Sequence, residues 1–181
     1  MYDNIERELK LLINEKVYNE LLNSYDFHNP ITQTNTYFDT ENQDVKKQHG
    51  AVRIRTIQNK KIFTLKIRKD EYTHYEFEKE ISAENINEIE DPEISNWFNQ
   101  YQIPKNLHPT ASFTTLRNVY VFENGELCLD KTYYKNHTDY EIEYEYTSDH
   151  DGIHFFNSIL EKYGLKWVKN CPSKIARALN D

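Results

Sequence analysis

Glycine is scarce in this chain, with four among 181 residues. A phosphate-cradling loop between strand and helix needs several at fixed spacing, so that class of nucleotide binder is excluded. Cysteine is scarcer still. Cys128 and Cys171 stand far apart, in contexts without metal-ligand spacing, so a disulfide framework and a sulfur-held zinc are both unsupported and the two read as reduced thiols. No long apolar run is present and the opening Met1-Tyr2-Asp3-Asn4 is polar and acidic, so a cytoplasmic protein without a membrane partner is expected. Basic residues are outnumbered: 22 Lys and Arg against 30 Asp and Glu leave a net charge of −8, which argues against a nucleic-acid partner held by counterion release. The composition does not change regime along the chain, so residues 1–181 read as one domain with one sizeable core.

What the chain does have is charge sorted by strand. In Ile5–Ile13, Glu6, Glu8 and Lys10 alternate with apolar Ile5, Leu9, Leu11 and Ile13, and in a strand alternate side chains share a face. Arg53 and Arg55 oppose Val52 and Ile54, while Lys66 and Arg68 oppose Phe63, Leu65 and Ile67. Those two faces are purely basic. Glu76, Glu78 and Glu80 oppose Tyr75, Phe77 and Ile81, and Glu141, Glu143 and Glu145 oppose another apolar row; these faces are purely acidic. A solvated sheet mixes signs within a strand, so sorting of this kind points to charged faces with a shared purpose.

Strands are expected near 4–13, 34–40, 51–58, 61–69, 73–81, 112–123, 126–134 and 139–147, with Asn59-Lys60 and Asn124-Gly125 as hairpin turns. Helices are expected from Glu15 to about Phe27 behind an Asn14 cap and from Ser82 onward with an interruption at Pro92. Two more are expected from Asp149 to Tyr163 with Gly164 as a left-handed stop, and over Pro172–Leu179 with the proline in the first turn. The fold class is α+β, mainly β: an eight-stranded antiparallel closed barrel. Its charged faces point inward, and amphipathic helices cover the apolar outside.

A lumen rich in both signs needs an occupant of matching charge. Lys10, Arg53, Arg55, Lys66, Arg68 and Arg117 form a basic set suited to phosphate oxygens. Glu6, Glu8, Glu76, Glu78, Asp130, Glu141 and Glu143 form an all-oxygen set suited to Mg²⁺ or Mn²⁺, with Asp130 either a ligand or the orienter of a basic residue. Together they describe a polyanion bridged by divalent metals, a triphosphate or nucleoside triphosphate. Other motifs carry less. His150-x-x-x-His154 has helical metal spacing without a partnering Cys or Glu between, and reads as an exposed pair. Tyr133, Tyr134, Tyr144 and Tyr146 read as cover for the outer barrel rather than as base-stacking platforms.

The order Glu6-x-Glu8-x-Lys10 resembles the opening signature of the CYTH family, within the triphosphate tunnel metalloenzyme superfamily. Arg53-x-Arg55, Lys66, Glu76-x-Glu78, Arg117, Asp130, Glu141-x-Glu143 and Ser173-Lys174-x-x-Arg177 resemble its later elements in the same order, over nearly the whole chain. The resemblance implies a triphosphate tunnel in which basic residues, with Lys174 and Arg177 closing over the substrate, hold phosphates and glutamates hold metal. Glu6, Glu8, Lys10 and Lys66 are then the catalytic candidates. The implied activities are triphosphate hydrolysis or a class IV adenylyl cyclase reaction, with a noncatalytic nucleotide or polyphosphate binder as the remaining alternative. Arg7 and His74 carry no defined family role.

Overall fold

In the structure, a computed structural model that describes residues 4–181, all eight expected strands form. Met1–Asp3, part of the polar opening, lie outside the described residues. The strands are β1 (Ile5–Ile13), β2 (Ile31–Asp39), β3 (Gly50–Ile57), β4 (Lys60–Arg68), β5 (Thr73–Ile81), β6 (His108–Val121), β7 (Gly125–Tyr133) and β8 (Thr138–Tyr146). They close in the order β1-β5-β4-β3-β2-β6-β7-β8, every neighbour antiparallel. Closure leaves no long free edge and forces the two side-chain faces of each strand to become lumen and outside.

The helices are α1 (Glu15–Leu22), α2 (Asp44–Lys47), α3 (Pro92–Gln100), α4 (Gly152–Glu161) and α5 (Lys174–Leu179). Asn14 caps α1 as expected, but the helix stops at Leu22 rather than near Phe27. Ser82 caps nothing: the 82–91 stretch holds a single 3-10 turn at Ile86–Glu88, and α3 starts at Pro92 behind an Asp91 cap. The proline therefore begins a helix rather than interrupting one, because its missing N–H costs nothing in the first turn. Pro172 likewise lies outside α5, whose cap is Ser173. α4 is shorter at both ends than its periodicity suggests, and Gly164 behind it takes the left-handed φ of 70° foreseen for a stop. The first hairpin turns at Gln58-Asn59, one residue early, with Gln58 at positive φ.

The apolar packing sits outside the barrel, in two clusters. Leu9, Leu127, Leu129, Ile142 and Tyr144 on β1, β7 and β8 meet Tyr18 and Leu21 of α1 and Phe156, Ile159 and Leu160 of α4. Val52, Ile54, Phe63, Leu65 and Phe77 on β3, β4 and β5 meet Val45 of α2 and Ile94 of α3. A fully buried Leu or Phe contributes about 1.5–3 kcal/mol, so these outer layers supply the stability that a lumen of charges does not. Tyr144 and Tyr146 belong to the first cluster as expected, and Tyr134 is buried against Phe113 and His137; Tyr133 is exposed. Gly125 serves packing rather than turn geometry: a Cβ there would collide with the Tyr144 ring and the Glu145 carbonyl. His150 and His154 are not an exposed pair, since His150 precedes α4 and joins the Tyr144 hydroxyl at 2.8 Å while His154 faces solvent.

Candidate active site in the barrel lumen

The barrel encloses a cavity of about 750 Å³. One wall is acidic. β1, β5 and β8 turn Glu6, Glu8, His74, Glu76, Glu143 and Glu145 into it, because Glu6 is opposite His74 and Glu8 opposite Glu145 in the strand register. Lys66 of β4 reaches into this group, with its ammonium against Glu6, 2.9 Å from Glu8 and 3.5 Å from Glu76. Lys10 donates to the same Glu8 oxygen at 2.7 Å.

This sharing divides the carboxylates. Burial works against ionised Glu8, but Lys10 and Lys66 outweigh it and hold Glu8 below the usual carboxylate range. Burial and then the nearby Glu8 charge push Glu6 up to about 8, and burial followed by Glu8 pushes Glu145 up to about 7. Burial and then Lys66 pull the His74 imidazole down to about 4, and its Nδ1 is buried with no hydrogen-bond partner. This wall is short of positive charge.

The facing wall is basic. Arg53 donates to Thr64 at 3.0 Å and to Glu78 at 3.3 Å. Arg55 donates through Nε to the neutral Asn35 side chain at 2.8 Å and has no carboxylate partner among the described residues. Burial, then the Arg53 and Arg117 charges, pull Arg55 down to about 10, a guanidinium that lacks an anion. Gln33, Asn35 and Tyr37 of β2 complete this side.

A second charged knot lies to one side of the cavity. Asp130 is fully buried and takes two bonds from Arg117, at 2.8 and 2.6 Å, while Arg117 also reaches Glu143 at 2.6 Å. Lys174 of α5 lies 2.6 Å from Glu141, 2.6 Å from Glu143 and 2.9 Å from Asp130. Arg177 spans Glu141 at 2.7 Å and Asp139 at 2.8 Å.

The structure thus gathers Glu6, Glu8, Lys10, Arg53, Arg55, Lys66, Arg68, Glu76, Glu78, Arg117, Glu143 and Lys174 around one cavity. It does not bring Asp130, Glu141 or Arg177 to the cavity surface: they are bound to one another and to Lys174 and Arg117 behind it. Arg68 sits exposed, its Nε on the Asp70 carbonyl. Glu145, His74, Asn35 and Tyr37 also line the cavity and were not among the expected site residues. Strict alternation after Glu141 and Glu143 pointed to Glu145; the β2 residues carry no charge and left no sign to read.

Two acidic groups among the described residues bring donor atoms within 4.8 Å of one another: Glu6, Glu8 and His74, and Asp130, Glu141 and Glu143. The first fits a hard divalent cation. It offers carboxylate oxygens and an imidazole nitrogen with no other partner, and at Glu6 burial and then the Glu8 charge oppose ionisation, which a cation would relieve. The second already holds Lys174, Arg117 and Arg177.

A closed eight-stranded tunnel with opposed acidic and basic walls defines the class, and the chain belongs to the CYTH domain family, whose family model matches residues 4–177. It is 29% identical over 186 residues to YjbK of Bacillus subtilis strain 168, described as a candidate triphosphatase, covering 98% of this chain and 95% of that one. A crystal structure of a candidate adenylate cyclase from Bacillus halodurans superposes with a TM-score of 0.84 at 29% identity, covering 96% and 97% of the two chains. A candidate adenylyl cyclase from Hippeastrum, reported to show a dominant triphosphatase activity, shares the fold with a TM-score of 0.76 at 23% identity, covering 98% and 95%.

Proposed function

We propose that this chain is a divalent-metal-dependent triphosphatase acting on inorganic triphosphate or an organic triphosphate inside the barrel. The observation that carries the reading is the opposition, across one cavity, of an arginine without a counter-anion, Arg55, to a wall without enough cations, Glu6, Glu8, Glu76 and His74. A triphosphate with its cation supplies each wall with the charge it lacks. The similarity to the Bacillus subtilis candidate triphosphatase supports the same reading.

Glu6 and Glu8, with His74 and Glu76, would hold Mg²⁺ or Mn²⁺, and Glu143 faces the same space. When bound, such a cation neutralises phosphate oxygens and lowers the pKa of a water. Lys10, Arg53, Arg55, Lys66 and Arg117 bind the phosphate chain, and Arg68 meets it at the exposed edge of the cavity. Asp130 orients Arg117, Glu78 orients Arg53, and Glu141 orients Lys174 and Arg177. Water would attack the terminal phosphorus in line with the bridging oxygen and give up a proton to solvent; that P–O bond would break, and the arginine wall would stabilise the charge on the departing oxygen. No side-chain nucleophile is required. We place the activity in one domain, 1–181, in the cytoplasm, with a small-molecule partner and neither nucleic acid nor membrane. Among the described residues no helix is long and apolar enough to cross a membrane.

Incubation with inorganic triphosphate, thiamine triphosphate and ATP, each with Mg²⁺ or Mn²⁺, tests the proposal by product analysis. Orthophosphate release is expected. Cyclic nucleotide with pyrophosphate would establish a cyclase instead, the reading favoured by the description of the Bacillus halodurans structure. Tight binding without turnover would make the chain a binding module.

A further inference from the structure

β1 lies between β8 and β5, but its residue pairing with β5 ends at Arg7. Beyond that point a strand edge would be left open at the two residues on which the acidic wall depends. The Glu8 N–H is satisfied by the Tyr72 carbonyl at 3.0 Å. The next stretch of the edge is bonded by a side chain from the far end of the chain, Asn170. Lys10 N–H donates to Asn170 Oδ1 at 2.8 Å, and Asn170 Nδ2 donates to the Glu8 carbonyl at 3.0 Å. Cys171 N–H then donates to the Lys10 carbonyl at 3.3 Å. The Asn170 amide supplies the donor and the acceptor that a neighbouring strand's peptide would have supplied.

Asn170 is itself held in place. The Trp167 indole N–H donates to the same Oδ1 at 2.9 Å, and the indole packs edge-on to Tyr72. Asn157 of α4 fixes the Trp167 backbone twice, accepting from its N–H at 2.7 Å and donating to its carbonyl at 3.3 Å. The chain then passes directly from Asn170 into α5, which carries Lys174 onto Glu141 and Glu143.

We propose that Asn170 is a positioning residue: its amide stands in for a missing strand, sets the aim of Glu8 and Lys10, and fixes where α5 delivers Lys174. This rests on the triphosphatase reading for its activity consequences. Its amide bonds the backbone of both Glu8 and Lys10 along one edge of β1, and the Trp167 indole N–H fixes the orientation of that amide.

The test uses the full chain carrying Asn170→Ala, Asn170→Asp or Trp167→Phe, assayed well below each variant's unfolding midpoint. Asn170→Ala is expected to lower kcat and to raise the half-saturating Mn²⁺ concentration, each by about tenfold to a hundredfold, the usual effect of removing a residue that orients a metal-holding side chain. Asn170→Asp keeps the acceptor for Lys10 and Trp167 but replaces the donor to Glu8 with a carboxylate oxygen facing a carbonyl, so its loss should at least match that of alanine. Trp167→Phe keeps the packing and loses the N–H that braces Asn170, and should fall between wild type and Asn170→Ala. Hydrogen exchange in Asn170→Ala should speed up over residues 8–12 and 171–179. A lowered melting temperature with kcat and the Mn²⁺ requirement unchanged would overturn the proposal. If the wild type turns over no triphosphate, the activity reading fails separately. Calorimetric Mn²⁺ binding then decides: weaker binding by Asn170→Ala upholds the positioning role, and unchanged binding overturns it.

Discussion

Glu8 and Lys66 are 58 positions apart in the chain and meet at 2.9 Å inside the barrel. β5 separates their strands, so the pair spans a neighbour in the ring and depends on closure. Lys66 also touches Glu6 and Glu76, which means that one ammonium answers three carboxylates. On the proposed function, a divalent cation held by these carboxylates would release the Lys66 ammonium for a phosphate oxygen.

Glu6 and Glu8 should respond in opposite directions to amide substitution. With chelator at neutral pH, Glu8→Gln removes the charge that pairs Lys10 and Lys66 and should lower stability by about 1.5–3 kcal/mol in urea denaturation. Glu6→Gln removes a carboxyl already pushed up to about 8, and should leave stability equal or higher. The sign follows from linkage: a raised acid binds more protons folded than unfolded, so Glu6 costs stability as pH rises from about 4.5 to about 8. Both variants should lose most turnover, and full activity of either at limiting metal would sink its assignment.

Arg55→Ala should weaken binding of a nonhydrolysable triphosphate analogue more than Lys66→Ala, because it removes forked donors as well as charge. Calorimetric titration should show about 1.5–3 kcal/mol lost, roughly tenfold to a hundredfold. Stability should separate them the other way. Arg55 leaves behind only the neutral Asn35, whereas Lys66 abandons three carboxylates.

Asp130→Asn tests whether this residue serves metal or arginine. The carboxylate is fully buried and holds Arg117 with two bonds and Lys174 with a third contact. Breaking a buried pair from one side costs about 3–5 kcal/mol, so a large loss in chemical denaturation is expected. The Mn²⁺ concentration for half-maximal rate should stay near the wild-type value, and a strong rise would make Asp130 a ligand.

Gly125→Ala should destabilise by about 1–3 kcal/mol through overpacking, since the new methyl meets the Tyr144 ring and the Glu145 carbonyl. Gly164→Ala has open space around it and suffers only from its φ of 70°. Thermal unfolding of the two should therefore report different physics, with the Gly125 change spreading into the outer core and the Gly164 change staying local.

The barrel was legible because its strands alternate between full charge and full hydrophobicity. In Arg53-Ile54-Arg55 or Glu141-Ile142-Glu143 no other secondary structure places like charges together and apolar residues together. The boundaries blurred where that contrast fades. β2 begins at Ile31 and β6 at His108, earlier than expected, since Thr32, Thr34, Thr110 and Ser112 are polar without being charged. Pro92 reads alike as a break and as a first turn; Asp91 decides for the turn by accepting from the Glu93 and Ile94 N–H groups. The expected set of charges largely converged, but which carboxylates would be spoken for by arginine and lysine depended on the register of β6, β7 and β8. Asn170 left no trace at all, as a lone amide in a loop has neither period nor sign.

The two apolar layers lie on opposite sides of the ring, against β1, β7 and β8 and against β3, β4 and β5, and β2 and β6 join them. Folding and chemistry are thereby assigned to different surfaces of the same strands. Arg53, Arg55 and Lys66 make their bonds to other strand residues, and the helix tied to the lumen carboxylates is α5, through Lys174 and Glu143. Substitutions confined to those three basic residues would change the charge inside the ring and leave both apolar layers in place.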